Sequence, residues 1–427
     1  MKLFSSLAVR NYRLFASGQV VSLTGTWMQR VAQDWLVLNL SHNSGTAIGV
    51  TTGLQFAPVL FVGLYGGVIA DRYRKRQVLV LTQVTMGLFA LALGLLDVTG
   101  AVQLWHVYAL AFALGIASAI DAPVRQAFVT ELVGPSLLPN AVSLNSATFN
   151  IARVLGPAIA GLMIASVGTS LVFLINAGSF VAVIACLLLM RDDDLFVGKP
   201  VTRAKGQVRE GLRYVLRRPE LVAITALVGV VGTLGFNFQI TSALLTKNTF
   251  HQGAESYGLI SATYAFGSLL GALAAARRGR PSRRLVFTAA ATYGVLEIVA
   301  ALMPTYWSFF ALLVPFGFFT LTFSTAANTT VQLAATPVMR GRVMALYLMV
   351  FMGGTPIGAP LVGWIAQVAG PRWSLIVGGL ASVTAAVLAA LYLTRREQLK
   401  VQPHLLRRRP HVHVTTLTPV DEDALVR

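Results

Sequence analysis

The chain has 427 residues, of which 55% are hydrophobic and only 12% are charged, and its mean hydropathy is +0.69. A water-soluble protein of this length needs more charged residues to cover its surface, so the composition excludes a soluble fold and predicts a polytopic membrane protein. The formal net charge of +18 does not indicate nucleic-acid binding, because the basic residues are concentrated in loops between apolar segments.

Twelve apolar segments are long enough to cross a hydrocarbon core of about 30 Å. In chain order they span residues 14–39, 47–70, 78–97, 104–121, 143–167, 170–190, 221–246, 256–276, 285–303, 307–328, 343–367 and 373–394. The predicted fold is an all-α membrane protein in which twelve transmembrane helices form two pseudo-symmetric six-helix bundles. Its predicted units are an N-terminal bundle (1–190), a linker (191–219), a C-terminal bundle (220–400) and a disordered cytoplasmic tail (401–427).

Basic residues are distributed unequally between the two sets of loops. One set holds little more than Lys247 and Arg372, and the other holds nearly all the rest. Cytoplasmic loops carry an excess of lysine and arginine, so we expect a cell-membrane (inner or plasma membrane) protein with both termini in the cytoplasm. The basic set includes Lys2, Arg10, Arg13, Arg72, Arg74, Lys75, Arg76, Arg125, Arg277, Arg278, Arg280, Arg283, Arg284, Arg340 and Arg342.

The linker contains the segment "GQVREGLRYVLRRPE", residues 206–220. In a helix, Val208, Leu212 and Val215 would share one face and arginines would occupy another. This pattern predicts an amphipathic helix on the anionic inner leaflet of the membrane. A solvated linker without membrane contact is the alternative.

The two halves resemble each other at a spacing of about 200 residues. "GPAIAG" at residues 156–161 is matched by "GAPLVG" at residues 358–363. Two parallel six-span repeats around a central path are typical of transporters, whose substrate site lies near the middle of the membrane between the halves. The repeat therefore favours a transporter over other membrane proteins.

The loop after the second span contains "GGVIADRYRKRQVL", residues 66–79. Glycines allow close helix packing, and an aspartate at the membrane edge can interact with the N-terminus of a neighbouring helix. We therefore interpret the segment as a latch between the halves. A loop that merely orients the chain by its positive charges is the alternative. The latch residues are Gly67, Asp71, Arg72, Lys75 and Arg76.

The same segment resembles the signature of the major facilitator superfamily, G-x-L-A-D-R-x-G-R-K/R-x-x-L.

The fifth span contains "ARVLGPAIAGLM", which is similar to the G-x-x-x-G-P-x-x-G-G motif of antiporters in that superfamily. Proline bends a helix and small residues allow close approach, so Gly156, Pro157 and Gly161 are expected to form a pivot. Close packing without a pivot role is the alternative.

Two further segments resemble one branch of this superfamily. These are "NYRLFASGQVVSLTGTWMQRVAQDWLVLNL" at 11–40 and "DAPVRQAFVTELV" at 121–133. They are similar to sequences of drug–proton antiporters and enterobactin-exporter-like proteins, the transmembrane secretion effector branch. The resemblance implies outward transport of amphipathic metabolites, antibiotics or siderophores.

Ionisable residues inside the predicted spans are candidate functional groups, since a charge within the membrane is costly. Arg30 and Asp34 lie one helical turn apart in the first span, and Arg153 lies within the fifth. Asp34 could carry a proton that Arg153 displaces in one conformation, or it could form a static ion pair with Arg30. Glu297 in the ninth span is a second candidate proton carrier.

Other polar residues have less specific interpretations. Asp121 and Arg125, at the cytoplasmic end of the fourth span, are expected either to form a gate or to cap the helix. Polar and bulky side chains within the spans are candidates for the wall of a substrate cavity. They are Trp27, Gln33, Gln55, Phe56, Asn145, Asn150, Phe236, Asn237, Gln239, Tyr264, Asn328 and Met352.

These patterns predict a secondary exporter of small amphipathic organic molecules that uses a proton gradient and alternating access. A passive facilitator or importer of the same fold is the alternative, and a lipid-modifying membrane enzyme is a remote one. We expect no cofactor, no metal, no nucleic-acid partner and a monomeric chain. Cys186 excludes an intramolecular disulfide, because it is the single cysteine of the sequence.

Overall fold

The computed structural model describes residues 4–196, 207–396, 399–404 and 411–416. Within these ranges, the side chains of residues 64–68, 70, 71, 207–209, 399–404 and 411–416 are outside the description. The N-terminal half consists of α1 (Arg10–Leu40), α2 (Gly45–Arg72), α3 (Lys75–Val98), α4 (Leu104–Val167) and α5 (Thr169–Leu188), with short 3-10 turns at Ser5–Ala8 and Asp192–Asp194.

Helix α4 consists of two arms that cross the molecule in succession. The chain breaks at Gly134, whose φ of 68° and ψ of 175° are not helical. A positive φ is easily adopted by glycine but strained for other residues, so a glycine permits the reversal here. The two arms correspond to the fourth and fifth predicted spans.

The C-terminal half repeats this pattern of six passes. The first pass, residues 219–249, combines two helices with two π-helical segments, Val231–Gly235 and Leu245–Thr249. Its helices are α7 (Pro219–Val230) and α8 (Phe238–Leu244). The later passes are α9 (Ala254–Arg278), α10 (Arg283–Leu302), α11 (Tyr306–Ala311) continued by α12 (Leu313–Ala334), α13 (Pro337–Ala369) and α14 (Pro371–Arg396).

Ten helical segments of the described residues are long and apolar enough to span a membrane. The two-armed α4 counts once among them. Helix α1 is not included, although it has 31 residues, because it contains Arg30, Asp34 and several buried glutamines that lower its hydropathy. The architecture is consistent with the twelve predicted spans, and the protein is a multi-pass, predominantly helical membrane protein.

The linker contains helix α6 (Gln207–Leu216), which packs against the start of α13. Val215 is buried in the core of the C-terminal half, and Glu210 forms a 2.7 Å ion pair with Arg342. Leu212 and Leu216 remain exposed on another side of α6. The helix therefore has one face on the bundle and exposed leucines elsewhere, and its contact with the membrane surface remains a prediction.

The C-terminal tail differs from the sequence-based expectation. Residues 401–427 were expected to be disordered, but strand β1 (Leu399–His404) pairs with β2 (His411–Thr416) in an antiparallel two-stranded sheet. The physical reason lies in the "HVHVTT" segment, in which β-branched residues that favour strands predominate.

Both ends of the helix bundle can be named from these elements. We call the end that carries the α2–α3 loop, helix α6 and the C-terminal end of α14 the basic face, and the other end the opposite face.

Two seams join the halves near the opposite face, where α2 packs on α13 and α4 packs on α9. A Cβ atom at Gly45 would collide with the backbone of Gly363, and one at Gly161 would collide with Gly258. Glycines at these seams therefore permit the close approach of the two halves.

Candidate functional site

A cavity of about 260 Å³ lies between the two halves. The N-terminal half contributes residues of α1 and of the second arm of α4, and the C-terminal half contributes the remainder. The lining residues are Trp27, Arg30, Val31, Arg153, Pro157, Phe236, Phe238, Gln239, Ser261, Tyr264, Ala265, Thr320, Leu321, Ser324 and Phe351. Cavities of roughly 300–1,000 Å³ hold drug-sized ligands, so this one is suited to a small organic molecule or to part of a larger one.

Arg30 reaches this cavity from α1 and stacks against two aromatic rings. Its guanidinium carbon lies 4.7 Å from the ring centroid of Trp27 and 5.7 Å from that of Phe56. Within the part of the chain that the structure describes, no carboxylate lies within 4.0 Å of its nitrogen atoms. The static Arg30–Asp34 ion pair is therefore absent in this conformation, because Arg30 turns toward the rings.

Asp34 is instead held by neutral donors from the other half of the protein. It is 4% exposed, and its Oδ2 atom accepts hydrogen bonds from Gln239 Nε2 at 2.6 Å and from the Tyr257 hydroxyl at 2.8 Å. Arg153 lines the cavity but forms no ion pair with Asp34 in this conformation. Buried carboxylates are stable only with such partners, so these two hydrogen bonds tie the position of α1 to that of α8 and α9.

Further contacts surround Asp34 on the side of the opposite face. Trp35 stacks on Tyr257 with ring centroids 6.3 Å apart, and Lys247 Nζ lies 4.9 Å from the centroid of Trp35. All the described hydrogen bonds between the halves lie near this face. The others join Gly45 N to Gln367 Oε1 at 2.7 Å, Lys247 to Asn39, and Asn248 Nδ2 to Asn43 O at 3.3 Å. The structure is therefore closed at the opposite face.

A second, small pocket lies directly beside Asp34. It is lined by Arg30, Gln33, Asp34, Thr52, Gln55, Phe56 and Gln239. Gln33 Nε2 donates a 3.2 Å hydrogen bond to Gln55 Oε1 across this pocket. Gln239 also lines the main cavity, so one side chain connects the cavity with the carboxylate.

The predicted cavity residues divide into three groups: those that line the main cavity, those that line the pocket beside Asp34, and those that line neither. Trp27, Phe236, Gln239 and Tyr264 line the main cavity, while Gln33, Gln55 and Phe56 line the pocket beside Asp34. Five others do not line either space: Asn145, Asn150, Asn237, Asn328 and Met352.

The structure gives a reason for three of these residues, Asn150, Asn237 and Met352. Asn150 and Asn237 donate hydrogen bonds to carbonyl groups of their own helical regions, at Ser146 and Thr233. Met352 is 43% exposed, and its neighbour Phe351 takes the place in the cavity wall. Hydropathy alone does not determine which side of a helix faces the cavity.

Several lining residues had no signal in the sequence that set them apart from ordinary packing. They are Val31, Phe238, Ser261, Ala265, Thr320, Leu321, Ser324 and Phe351. Thr320 and Ser324 are four residues apart in α12 and therefore share one face. Tyr264 donates a 3.0 Å hydrogen bond to Thr320 Oγ1, which aligns α9 and α12 along this wall.

Asp121 and Arg125 form an ion pair inside the N-terminal half. Asp121 is 2% exposed and accepts hydrogen bonds from Thr82 Oγ1 at 2.8 Å and Gln83 Nε2 at 2.9 Å, while Arg125 donates to Gln19 Oε1 at 2.6 Å. This network joins α1, α3 and α4, and its described contacts stay within one half. In this structure the pair links three helices of one bundle, and its role as a gate or as a helix cap remains a prediction.

Glu297 lies away from the cavity, between α10 and α14. It is 2% exposed, and its Oε2 atom has no hydrogen-bond partner among the described residues. A Cβ atom at Gly378 would lie 2.7 Å from Glu297 Oε1, so the carboxyl group packs directly on α14. Glu297 lines neither the main cavity nor the pocket beside Asp34.

The latch segment contributes two basic residues whose contacts are described. Lys75 forms a 2.6 Å ion pair with Glu131, and Arg76 forms one of 2.6 Å with Asp192. Arg72 is exposed at the end of α2. The surroundings of Gly67 and the side chain of Asp71 lie outside the described residues, so the latch itself remains a prediction.

The predicted pivot lies where the second arm of α4 meets both α1 and α9. A Cβ atom at Gly156 would collide with Trp27, and one at Gly161 would lie 2.8 Å from the carbonyl oxygen of Ala254. Pro157 lines the cavity between these two contacts. The segment therefore touches the other half directly, and its pivot role in transport remains a prediction.

Comparison with known proteins finds relatives that are named as transporters. The chain is 24% identical to the staphyloferrin A transporter of Staphylococcus aureus, covering 91% of this chain and 98% of that protein. It is 28% identical to the multidrug efflux pump Tap of Mycolicibacterium fortuitum (88% and 93% covered). It is 25% identical to the enterobactin exporter EntS of Shigella boydii (92% and 94% covered).

Solved structures show the same fold. A bacterial homologue of the human lysosomal transporter Spinster, in an inward-facing conformation, matches with a TM-score of 0.72 at 16% identity, covering 90% of this chain and 97% of that one. A bacterial homologue of the iron transporter ferroportin matches with a TM-score of 0.68 at 15% identity (90% and 98% covered). A family profile described as transmembrane secretion effector matches residues 2–417. The chain is therefore a transporter and not an enzyme, and it belongs to the transmembrane secretion effector family of the major facilitator superfamily.

Proposed function

We propose that the protein exports small amphipathic organic molecules, such as drugs or siderophore-like metabolites, in exchange for protons. The names of its relatives, an enterobactin exporter and a multidrug efflux pump among them, support export. The observation that supports proton coupling is the burial of Asp34. Its described hydrogen-bond donors, Gln239 and Tyr257, both belong to the C-terminal half. The proton gradient would be the energy source, and the chain would act without a cofactor as a monomer.

The proposed orientation places the basic face in the cytoplasm. Exposed arginines occur at the ends of α2, α9 and α14, all on this face. Positively charged loops stay on the cytoplasmic side during insertion. In this orientation, closure at the opposite face makes the structure inward-facing, and α6 lies along the inner leaflet of the membrane with its anionic lipids.

A reporter fusion tests this orientation. Alkaline phosphatase, which is active only outside the cytoplasm, is expected to be silent when fused after Arg427 and active when inserted after Gly253, near the opposite face. The physical reason is the unequal distribution of basic residues between the two faces. Strong activity of the C-terminal fusion together with a silent insertion would invert the proposed topology.

The proposed cycle uses Asp34 as the proton carrier. In the inward-facing state, ionised Asp34 accepts two hydrogen bonds from Gln239 and Tyr257, which keep the opposite face closed. Hydrogen bonds to a charged group contribute about 1.5–3 kcal/mol each. The empty, deprotonated protein therefore stays closed, and this closure prevents a proton leak.

Substrate binding would release the closed state through Gln239. This side chain lines the cavity and donates to Asp34, so a substrate that engages it competes with the carboxylate. Opening then exposes Asp34 to the outside, where it takes up a proton as the substrate leaves. Neutral Asp34 can be buried again without strong donors, so the protonated protein returns to the inward-facing state, where Asp34 releases the proton to the cytoplasm and is ionised again.

Flux measurements test the function. Inside-out vesicles expose the basic face, and they are expected to accumulate a transported compound only when the vesicle interior is acidic. A panel of siderophores, aromatic antibiotics and dyes would be measured with and without an ionophore that removes the pH gradient. Accumulation that merely equilibrates, unaffected by the ionophore, would establish the passive facilitator instead. Gradient-driven loss of compound from the vesicles would establish an importer.

A further inference from the structure

The walls of the central cavity carry an unbalanced charge. Arg30 and Arg153 both line it, whereas the described lining residues include neither aspartate nor glutamate. Both arginines come from the N-terminal half. The C-terminal half contributes uncharged hydrogen-bonding groups instead, on Gln239, Ser261, Tyr264, Thr320 and Ser324.

Among the described residues, no carboxylate forms an ion pair within 4.0 Å of either arginine. Asp34 accepts its hydrogen bonds from Gln239 and Tyr257, and Glu297 packs on α14 away from the cavity. Arg30 stacks on aromatic rings and feels the charge of Asp34 only at a distance, and Arg153 has no described hydrogen bond or ion pair. Two cationic groups that share a low-dielectric space repel each other and lose hydration, so an anion between them would relieve both costs.

We propose that the transported substrate is an organic oxyanion attached to an aromatic or other flat apolar group, bound with its acidic oxygens between Arg30 and Arg153. This inference rests on the proposed transport function and specifies its substrate class. A guanidinium binds a carboxylate or a similar oxyanion through two parallel hydrogen bonds, which makes arginine suitable for this role. The aromatic walls formed by Trp27, Phe236 and Phe351 accommodate the apolar part.

The Trp27–Arg30 stack gives the site further selectivity. Stacking on Trp27 and Phe56 holds the guanidinium group of Arg30 in place without neutralising its charge. A cationic compound would meet two like charges in the same cavity, so the site selects against it. A neutral compound of the same shape keeps the aromatic contacts but leaves both arginines without an anionic partner.

The charge of the substrate has a consequence for energetics. When one proton enters and one monoanion leaves, two positive charges move inward in each cycle, compared with one for a neutral substrate and none for a monocation. An interior-negative membrane potential therefore drives export of the anion more strongly than export of the other two. Voltage dependence thus reports the substrate charge independently of affinity.

Binding to the purified protein tests the proposal with compounds that differ only in charge. The probes are three aromatic carboxylates, naphthalene-2-carboxylate, anthracene-9-carboxylate and 2,3-dihydroxybenzoate, each compared with its carboxamide. The carboxylates are expected to bind at least about ten-fold more tightly than the amides, because an amide cannot make the charge-assisted hydrogen bonds that a carboxylate accepts from arginine. Arg153→Gln is expected to remove this preference, and Arg153→Lys to retain part of it.

Arg277→Gln serves as the matched control, since it removes an exposed arginine at the end of α9 and leaves the cavity unchanged. It is expected to preserve the carboxylate preference. Equal binding of acid and amide in the unmodified protein, or absence of binding by all three acids, would overturn the proposal. So would a preference that persists in a well-folded Arg153→Gln protein.

Measurements of acid and amide export distinguish a failure of the anion selectivity from a failure of the proposed exporter function. If amides and acids are exported equally well under a pH gradient, the exporter function stands and the anion selectivity is refuted. If acids bind selectively but no gradient drives their flux, the site stands and proton-coupled export fails. A valinomycin-imposed potential that fails to accelerate acid export relative to amide export would also refute the anion assignment.

Discussion

Asp34→Asn is expected to reduce gradient-driven efflux to the background of vesicles without the transporter, while substrate binding persists. Asparagine cannot ionise, so it mimics the protonated carboxyl group and removes the proposed proton exchange. It also weakens the charge-assisted hydrogen bonds from Gln239 and Tyr257, about 1.5–3 kcal/mol each. Weakening the closed state by this amount changes the ratio of the two conformations by roughly ten-fold or more.

The measurement compares efflux and binding in the same preparation. Asp34→Glu is expected to retain part of the gradient-driven activity, because it preserves an ionisable group. Asp97→Asn is the matched control, since Asp97 also accepts two side-chain hydrogen bonds, from Thr169 at 2.5 Å and Ser170 at 2.8 Å, but only within the N-terminal half. Full gradient-driven efflux by a folded Asp34→Asn protein would exclude Asp34 as the proton carrier.

Gly161→Leu is expected to prevent closure of the opposite face and to abolish transport. A Cβ atom at this position would lie 2.8 Å from the carbonyl oxygen of Ala254 and 3.0 Å from the Cα atom of Gly258. These backbone atoms belong to α9 in the other half and cannot move aside as a flexible side chain can. Overpacking of this kind costs about 1–3 kcal/mol or more, and separation of the halves at the seam relieves it.

Thiol labelling measures the conformational change directly. In a Cys186→Ala background, Ser261→Cys places one thiol in the cavity wall. An impermeant maleimide is expected to react from the basic face in the unmodified transporter and from the opposite face in the Gly161→Leu variant.

Gly178→Leu is the control for added bulk in a helix, because a Cβ atom at Gly178 meets no atom within 4 Å. It is expected to leave labelling and transport unchanged. Unaltered sidedness of labelling in Gly161→Leu would show that the α4–α9 seam does not control access to the cavity.

Much of the fold could be predicted because hydropathy and charge are local properties of the sequence. Apolar runs of 18 or more residues indicate membrane spans wherever they pack. The polar linker divided the spans into two halves, and the repeat and loop motifs indicated the superfamily.

The sequence also identified the important charges but not their partners. Arg30, Asp34 and Arg153 were conspicuous because charges inside apolar spans are rare. The sequence offered Arg153 as a partner of Asp34 in one conformation, or Arg30, since residues four apart share a helix face. The actual donors, Gln239 and Tyr257, are 205 and 223 residues away in sequence.

What the sequence determined by itself is therefore the membrane class, the two-bundle division and the presence of buried charges. Tertiary structure alone decided that Asp34 faces neutral donors across the interface, that the Asp121–Arg125 pair contacts α1 and α3, and that Arg30 and Arg153 share one cavity. The physical reason is that helix rotation and packing between distant segments depend on the shapes of all neighbouring side chains. The residue pattern of one helix does not show which neighbouring helix will pack against it, or which face of that neighbour it will meet.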